Sequence, residues 1–413
     1  MTRRLGTACI ASVFLAAACT TTPSPPATGP SGSLATDLPA SAEPTPRPTP
    51  TAVPVAGGPI EEAGVTSTGA IWTIGGNVLA VSTDLGTTWR RASMPPSGTA
   101  GRPLPAFVLD ARHAWVITLT PGSIDSGNGP DFDHAQLIVN RTVDGGETWQ
   151  TASVPGDYPD TERSLVFADD QHGYLMVSGG RTNSGSSTIL RSDDGGATWT
   201  IAQSVEANDQ GSLGSLIAVS DGPTLWSAAQ EEAGPVNHPI LAVSDDGGRT
   251  WASVPLPGVL ARWGGTQNLP LGPPVFLTSE LGFFALTSSD DATAGNAPGE
   301  SRTLVYSTVD GGGGWTRQAS LPFEVGDALA FVTATSWVAS VTGLPATLEI
   351  TTDAGATWRA VHPTGVPAGS FESIQPIDGT KLLGRVLVGG NSGNPQVVAV
   401  SSDGGATWQP IAP

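Results

Sequence analysis

Ser192-Asp193-Asp194-Gly195-Gly196-Ala197-Thr198-Trp199 decides the fold, because the chain writes this unit seven times. In the general form Ser/Thr-x-Asp-x-Gly-x-Thr-Trp it returns at 82–89, 142–149, 244–251, 308–315, 351–358 and 401–408. Only 308–315 departs from it, with Gly314 in place of the threonine. A short apolar run such as 136–139 or 239–243 precedes each unit, and a short run led by tryptophan follows. Each unit therefore reads as a tight turn between two strands. The aspartates (Asp84, Asp144, Asp194, Asp246, Asp310, Asp353 and Asp403) can accept hydrogen bonds from backbone N–H groups of their own turns. The glycine two positions on suits a backbone with positive φ. The tryptophans (Trp89, Trp149, Trp199, Trp251, Trp315, Trp358 and Trp408) are expected to open the next strand. Each would bury ~150–250 Å², a gross gain of ~4–6 kcal/mol that is an upper bound. These fourteen residues read as scaffold, not as catalysts.

The unit tryptophans lie 43 to 64 residues apart, the span of one four-stranded propeller blade. A second, weaker series opens a strand upstream of each turn: Trp72, Trp115, Tyr174, Trp226, Phe283 and Trp337, with Leu382-Leu383 in the seventh repeat. Four strands per repeat follow, the turn joining the third to the fourth. Repeat 3 parses as strands over 164–168, 174–178, 188–192 and 199–203. An inner strand near 60–65 and an outer one at 408–411 let the ring close without exchanging strands between termini. The expected fold is all-β, a seven-bladed propeller of four-stranded antiparallel blades over 58–413; six blades plus an aberrant unit is the alternative.

The eight-residue units resemble the Asp boxes, or BNR repeats, of sialidase-type β-propellers, and the resemblance covers 60–413 as repeats. It implies a propeller, but the rest of a sialidase site is absent. Those enzymes take the substrate carboxylate with three arginines, the first in an Arg-Ile-Pro motif. Here the corresponding Ile60-Glu61-Glu62-Ala63-Gly64-Val65 holds no arginine, and Arg-Ile-Pro occurs nowhere. Of the three tyrosines, Tyr174 and Tyr306 fall in structural positions, and only Tyr158, with Glu162 close in sequence, is left for a nucleophile. Other glycosidases need two carboxylates flanking the scissile bond, among them the Asp-box xyloglucanases, which carry two propellers. The units also resemble photosystem II assembly and stability-factor propellers and, more distantly, sortilin-type binding propellers. The photosystem factors are associated with a basic patch, whereas this chain is acidic.

The N-terminus reads as an address. Arg3 and Arg4 precede a short apolar run over 10–18, too brief to span a bilayer. Leu15-Ala16-Ala17-Ala18-Cys19 resembles the lipobox of bacterial lipoproteins, which implies a signal peptide over 1–18 and acylation of Cys19; an ordinary secretory signal is the alternative. Residues 19–57 then form a Pro/Thr/Ser-rich linker: ten of the 38 residues from Thr20 to Gly57 are proline, a composition that cannot bury a core. Besides Cys19 only Cys9 occurs, so disulfides and thiolate chemistry are excluded from the body. Net charge is −19, or −21 once Arg3 and Arg4 leave with the signal, and Lys381 is the one lysine. This disfavours nucleic acid and electrostatic adhesion to anionic lipid.

Strand parity places the first-to-second and third-to-fourth turns at one end of the ring and the long connections at the other. Loops on a rigid scaffold carry function more often than the scaffold does. The candidate ligand-binding residues are therefore Arg262 and Trp263 in the longest link, with Tyr158 and Arg163 in a second polar cluster. Arg262 and Trp263 read equally as a loop capping the ring. Asp125, Asn128, Asp131 and Asp133 match no defined calcium loop, so no metal or other cofactor is expected. None of the five histidines lies in a nucleophile-elbow context. The expectation is a bacterial, extracytoplasmic, lipid-anchored propeller that binds a protein, peptide or glycan without chemistry; the alternative is a glycoside hydrolase.

Overall fold

The structure is a computed structural model that describes residues 60–413 apart from 96–104, 121–135, 157, 159–161, 179–186, 206–211, 233–236, 258–267, 290–300, 342–345 and 389–395. The expected signal peptide, Cys19 and the linker lie outside the described residues, as do the acidic segment 125–133 and the pair Arg262 and Trp263.

Seven antiparallel sheets follow one another along the chain, over 62–93, 106–153, 162–205, 212–255, 268–320, 325–361 and 369–410. The architecture is the all-β, seven-bladed propeller that the repeats predict. Each blade is a four-stranded meander taken from one contiguous stretch, so the ring closes without strand exchange. Blade 5 alone has its first strand in two pieces, Asn268–Pro270 and Val275–Phe276. In blade 3 the strands run Glu162–Phe167, Gly173–Ser178, Ser187–Ser192 and Thr200–Val205, within two residues of the expected bounds. Trp199 stands just before the fourth strand, not in it. The first strands of neighbouring blades approach one another, so they are the inner strands.

Six of the seven eight-residue repeats fold by the same four hydrogen bonds. In blade 3 the Ser192 hydroxyl donates to Asp194 Oδ1 (2.9 Å) and accepts from the Gly196 N–H (2.7 Å). Asp194 then accepts from the Thr198 N–H (2.8 Å) and hydroxyl (2.7 Å). The threonine hydroxyl is the largest of the influences that hold Asp84, Asp246 and Asp353 down at about 2. Gly314 removes that donor in blade 5, where Asp310 keeps the Thr308 hydroxyl (2.7 Å) and the Gly314 N–H (3.0 Å). The position before the repeat's fifth-residue glycine is also left-handed, and Leu85 (φ 58) and Ala354 (φ 57) occupy it without being glycine.

The turn between the first two strands sits against the repeat of its own blade. Gly195 donates to the Gln171 carbonyl (2.7 Å), Gly145 to Arg112 (2.8 Å) and Gly311 to Glu280 (2.9 Å). This fixes both kinds of turn at one end of the ring, as strand parity requires.

Blades are joined by a rule that the second aromatic series only half reveals. The second-strand residue paired with the position just before the repeat faces the next blade and packs beside that blade's repeat tryptophan. Trp72 and Trp149 pack against one core cluster, Tyr174 and Trp251 share another, and Trp226 meets Trp315 directly (5.9 Å). Trp115 stacks on Phe167 at 3.7 Å, and Phe167 in turn meets Trp199 edge-on. Trp337 breaks the series. It pairs with Thr351, one position further along, and so faces back toward Phe283 of blade 5. Val338 takes the forward slot, in the cluster that contains Trp408. At the closing seam Leu383 fills the slot and packs with Trp89. The repeat tryptophans are less buried than the sequence implies: Trp199, Trp315 and Trp408 are buried, whereas Trp89, Trp149, Trp251 and Trp358 are half-buried. Their place in a turn leaves one edge toward solvent, and the deeper anchors are Trp115, Trp226, Trp337, Tyr174 and Phe283.

Three arginines reinforce the first seams by donating to carbonyls of the next blade's repeat. Arg90 reaches the Asp144 carbonyl (2.5 Å), Arg141 those of Asp194 (2.7 Å) and Gly195 (3.2 Å), and Arg191 that of Asp246 (3.4 Å).

Candidate functional site

Regularity is lost in four successive inner strands, beginning with Ser212–Asp221 of blade 4, which slips register between Leu213 and Ile217 and again between Val219 and Asp221. Blade 5 interrupts its inner strand between Pro270 and Val275. In blade 6 the inner strand Val325–Phe331 slips register between Val325 and Leu329. In blade 7 the inner strand Gly369–Asp378 slips between Phe371 and Ser373, and again near its end. The inner strands of blades 1, 2 and 3 keep an unbroken register. A bulge bends a strand and re-aims the side chain it displaces, which is why bulges gather beside functional sites.

The displaced residues include Asp327 and Glu372. Both line an open cavity of about 150 Å³ between the inner strands of blades 5, 6 and 7, walled by apolar side chains that include Leu271, Val275, Phe283 and Phe331. Leu271 and Val275 are 40% and 45% exposed, an unusual state for large aliphatic residues of a propeller's inner layer. Asp327 is exposed and, among the described residues, has no ion-pair partner. Glu372 accepts from Arg385 at 2.8 Å, both side chains being about three-quarters buried. Arg385 Nε is buried and has no acceptor among the described residues.

The polar line continues into blade 1. Burial pushes the Glu62 carboxyl up to about 7, against the pull of the Arg385 charge and the Ala106 N–H. Glu372 and Glu62 thus both lie within the influence of the Arg385 guanidinium, while Asp327 lines the same cavity as Glu372 from the neighbouring blade. Among the described residues no three His, Cys, Asp or Glu side chains converge on a point that would hold a metal ion.

The residues expected from sequence fall elsewhere or out of view. Tyr158 is half-buried against the seam of blades 2 and 3 and donates its hydroxyl to the Pro155 carbonyl at 3.0 Å. Burial raises its phenol above the usual value, the reverse of what a nucleophile needs. Arg163 lies in the inner strand of blade 3, paired with Val177. Arg262 and Trp263 are outside the described residues. Asp327, Glu372 and Arg385 were not legible as a set. The available signal was Gly326, a glycine inside a strand-like run beside an acid, which is how a bulge announces itself in sequence.

No protein-family model matches the chain. A xyloglucanase of a Paenibacillus species is 24% identical over 200 residues, which are 43% of this chain and 19% of that enzyme. The chain therefore spans about a fifth of the length of the curated relative it matches. Among solved structures, the GH74 xyloglucanase from Xanthomonas campestris superposes with a TM-score of 0.53 at 14% identity, covering 86% of this chain and 54% of that one. A PL25 ulvan lyase gives 0.53 at 12% identity, covering 86% and 95%. YCF48 bound to D1 peptide gives 0.43 at 18% identity, covering 74% and 87%. At these identities the likeness is one of fold.

Proposed function

We propose that the protein is a binding module: an extracytoplasmic propeller, tethered through an acylated Cys19, that engages a protein or peptide at its axis without chemistry. The observation that carries this reading is the cavity between blades 5, 6 and 7. At about 150 Å³ it is half the size of the smallest common small-molecule pocket (~300 Å³), too small for the sugars on both sides of a glycosidic bond. Its carboxylates are also poorly placed for hydrolysis. Glu372 is held by Arg385 at 2.8 Å, and Asp327 is exposed to solvent rather than enclosed with it about a scissile bond. The Asp-box hairpins serve in this reading as a rigid frame.

Glycoside hydrolysis is the second reading, favoured by the 200-residue similarity to a xyloglucanase. Incubating the full chain with xyloglucan, mixed β-glucans and sialosides separates the two. The binding reading expects no turnover beyond buffer, together with retention of a specific partner by the immobilised chain. Turnover that disappears in Asp327→Asn or Glu372→Gln overturns it. The anchor is tested by metabolic labelling with an alkyne fatty acid: Cys19→Ser is expected to abolish labelling and release the chain from membranes.

A further inference from the structure

We infer that the axial cavity is a socket for a single cationic side chain, an arginine or lysine presented by an extended segment of a partner protein. This rests on the binding-module reading and specifies the chemistry of its ligand. The first argument is size. An engineered 150 Å³ cavity accommodates a benzene-sized group, so this one admits one side chain rather than an oligosaccharide. The second is its two-part lining. Leu271, Val275, Phe283 and Phe331 supply apolar wall, while Asp327 brings a carboxylate. Arginine and lysine have that same division, an apolar stem carrying a charged head, and bury the stem while keeping the head in polar surroundings. The third is an internal precedent: Arg385 already sets its guanidinium against Glu372 at 2.8 Å, leaving the neighbouring Asp327 without an ion-pair partner among the described residues. A second guanidinium or ammonium entering from solvent finds that carboxylate open.

Three further observations agree. The inner strands are irregular only where blades 4 to 7 meet the axis, and the cavity's two acids sit in the slipped segments. The cavity's described lining carries two carboxylates, Asp327 and Glu372, the second already bonded to Arg385, beside an apolar wall that suits the stem of an organic cation. The chain's charge of −19 draws basic partners toward the site and speeds encounter.

The test titrates the detergent-solubilised full chain with acetylated, amidated hexapeptides that differ only at one central residue: arginine, lysine, citrulline or norleucine. Citrulline keeps the shape of arginine without its charge. Arginine and lysine peptides are expected to bind at least tenfold tighter than citrulline and norleucine peptides, with a preference that shrinks as salt rises. Asp327→Asn is expected to erase most of that preference. Asp327 is exposed, so the variant should melt with the wild type; Val275→Lys, which places a cation in the socket, provides a second block. Equal affinity for arginine and citrulline peptides overturns the inference, as does an unchanged preference in both variants. A glucosamine oligosaccharide that binds while every peptide fails overturns it as well, yet leaves the binding module standing. Turnover of glycans would instead remove the binding-module reading itself.

Discussion

Blades 1 to 3 and blades 5 to 7 are made from the same repeat and behave as different materials. The first set has unbroken inner strands and sends Arg90, Arg141 and Arg191 across its seams. The second set has slipped or interrupted inner strands, holds the cavity, and has Ser307, Ile350 and Val400 where Arg141 and Arg191 stand. Neither arrangement is dictated by the hairpin, which is hydrogen-bonded alike in both apart from the hydroxyl donor that Gly314 removes in blade 5. The difference shows that a repeat fold concentrates irregularity on one arc of the ring, where the backbone is free to re-aim side chains. The remaining arc is left to hold the disc together. The closing seam is intermediate: Leu383 fills the aromatic slot, and the Val65 N–H reaches across to Gln375 Oε1 at 2.9 Å.

The firmest seam of the regular arc is the one that Trp115 fills. Trp115 is 1% exposed, stacked on Phe167 and bonded through Nε1 to the Gly195 carbonyl at 2.7 Å. Trp115→Ala is expected to cost about 3–5 kcal/mol in denaturant unfolding. Leu383→Ala, the equivalent change at the closing seam, should cost less, about 2–3 kcal/mol. Equal costs would mean that the two seams are not graded.

The closing seam is also expected to carry a pH dependence that blades 2 and 3 lack. Folding raises the Glu62 carboxyl from 4.5 to about 7, so between those values the folded state holds a proton that the unfolded chain releases. Stability contributed by this group is therefore full below 4.5 and lost as pH rises through 7, on the order of 3 kcal/mol. Unfolding measured from pH 4.5 to 8 should show that decline, and Glu62→Gln should flatten it. The repeat aspartates act in the opposite direction and in another window. Asp84, Asp246 and Asp353, held at about 2 against an ordinary 3.8, lose their contribution only as pH falls below 4.

Smaller changes sharpen the contrast. Arg141→Met removes two bonds to carbonyls of blade 3 and should cost about 1–2 kcal/mol. Faster amide exchange should follow at the seam of blades 2 and 3 but not at that of blades 6 and 7. Ala354→Gly relieves a left-handed backbone (φ 57) and should add up to about 1 kcal/mol, provided the lost methyl contact in the blade 5–6 core is small. A loss of stability on that substitution would assign Ala354 to packing instead.

The sequence by itself determined the number of blades, the place of each hairpin and the end of the ring on which the turns lie. A repeated Ser/Thr-x-Asp-x-Gly hairpin is a local structure, built from hydrogen bonds within eight residues, and local structure is written locally. It also gave the second aromatic series, but not that Trp337 belongs to the opposite face, because a one-residue shift of register turns a side chain to the other blade without changing the composition. The site is legible least of all. Asp327 and Glu372 are 45 residues apart in sequence, and what makes them neighbours is the slippage of two inner strands around one axis. Slippage answers to the packing of adjacent blades, so only the closed ring could decide it.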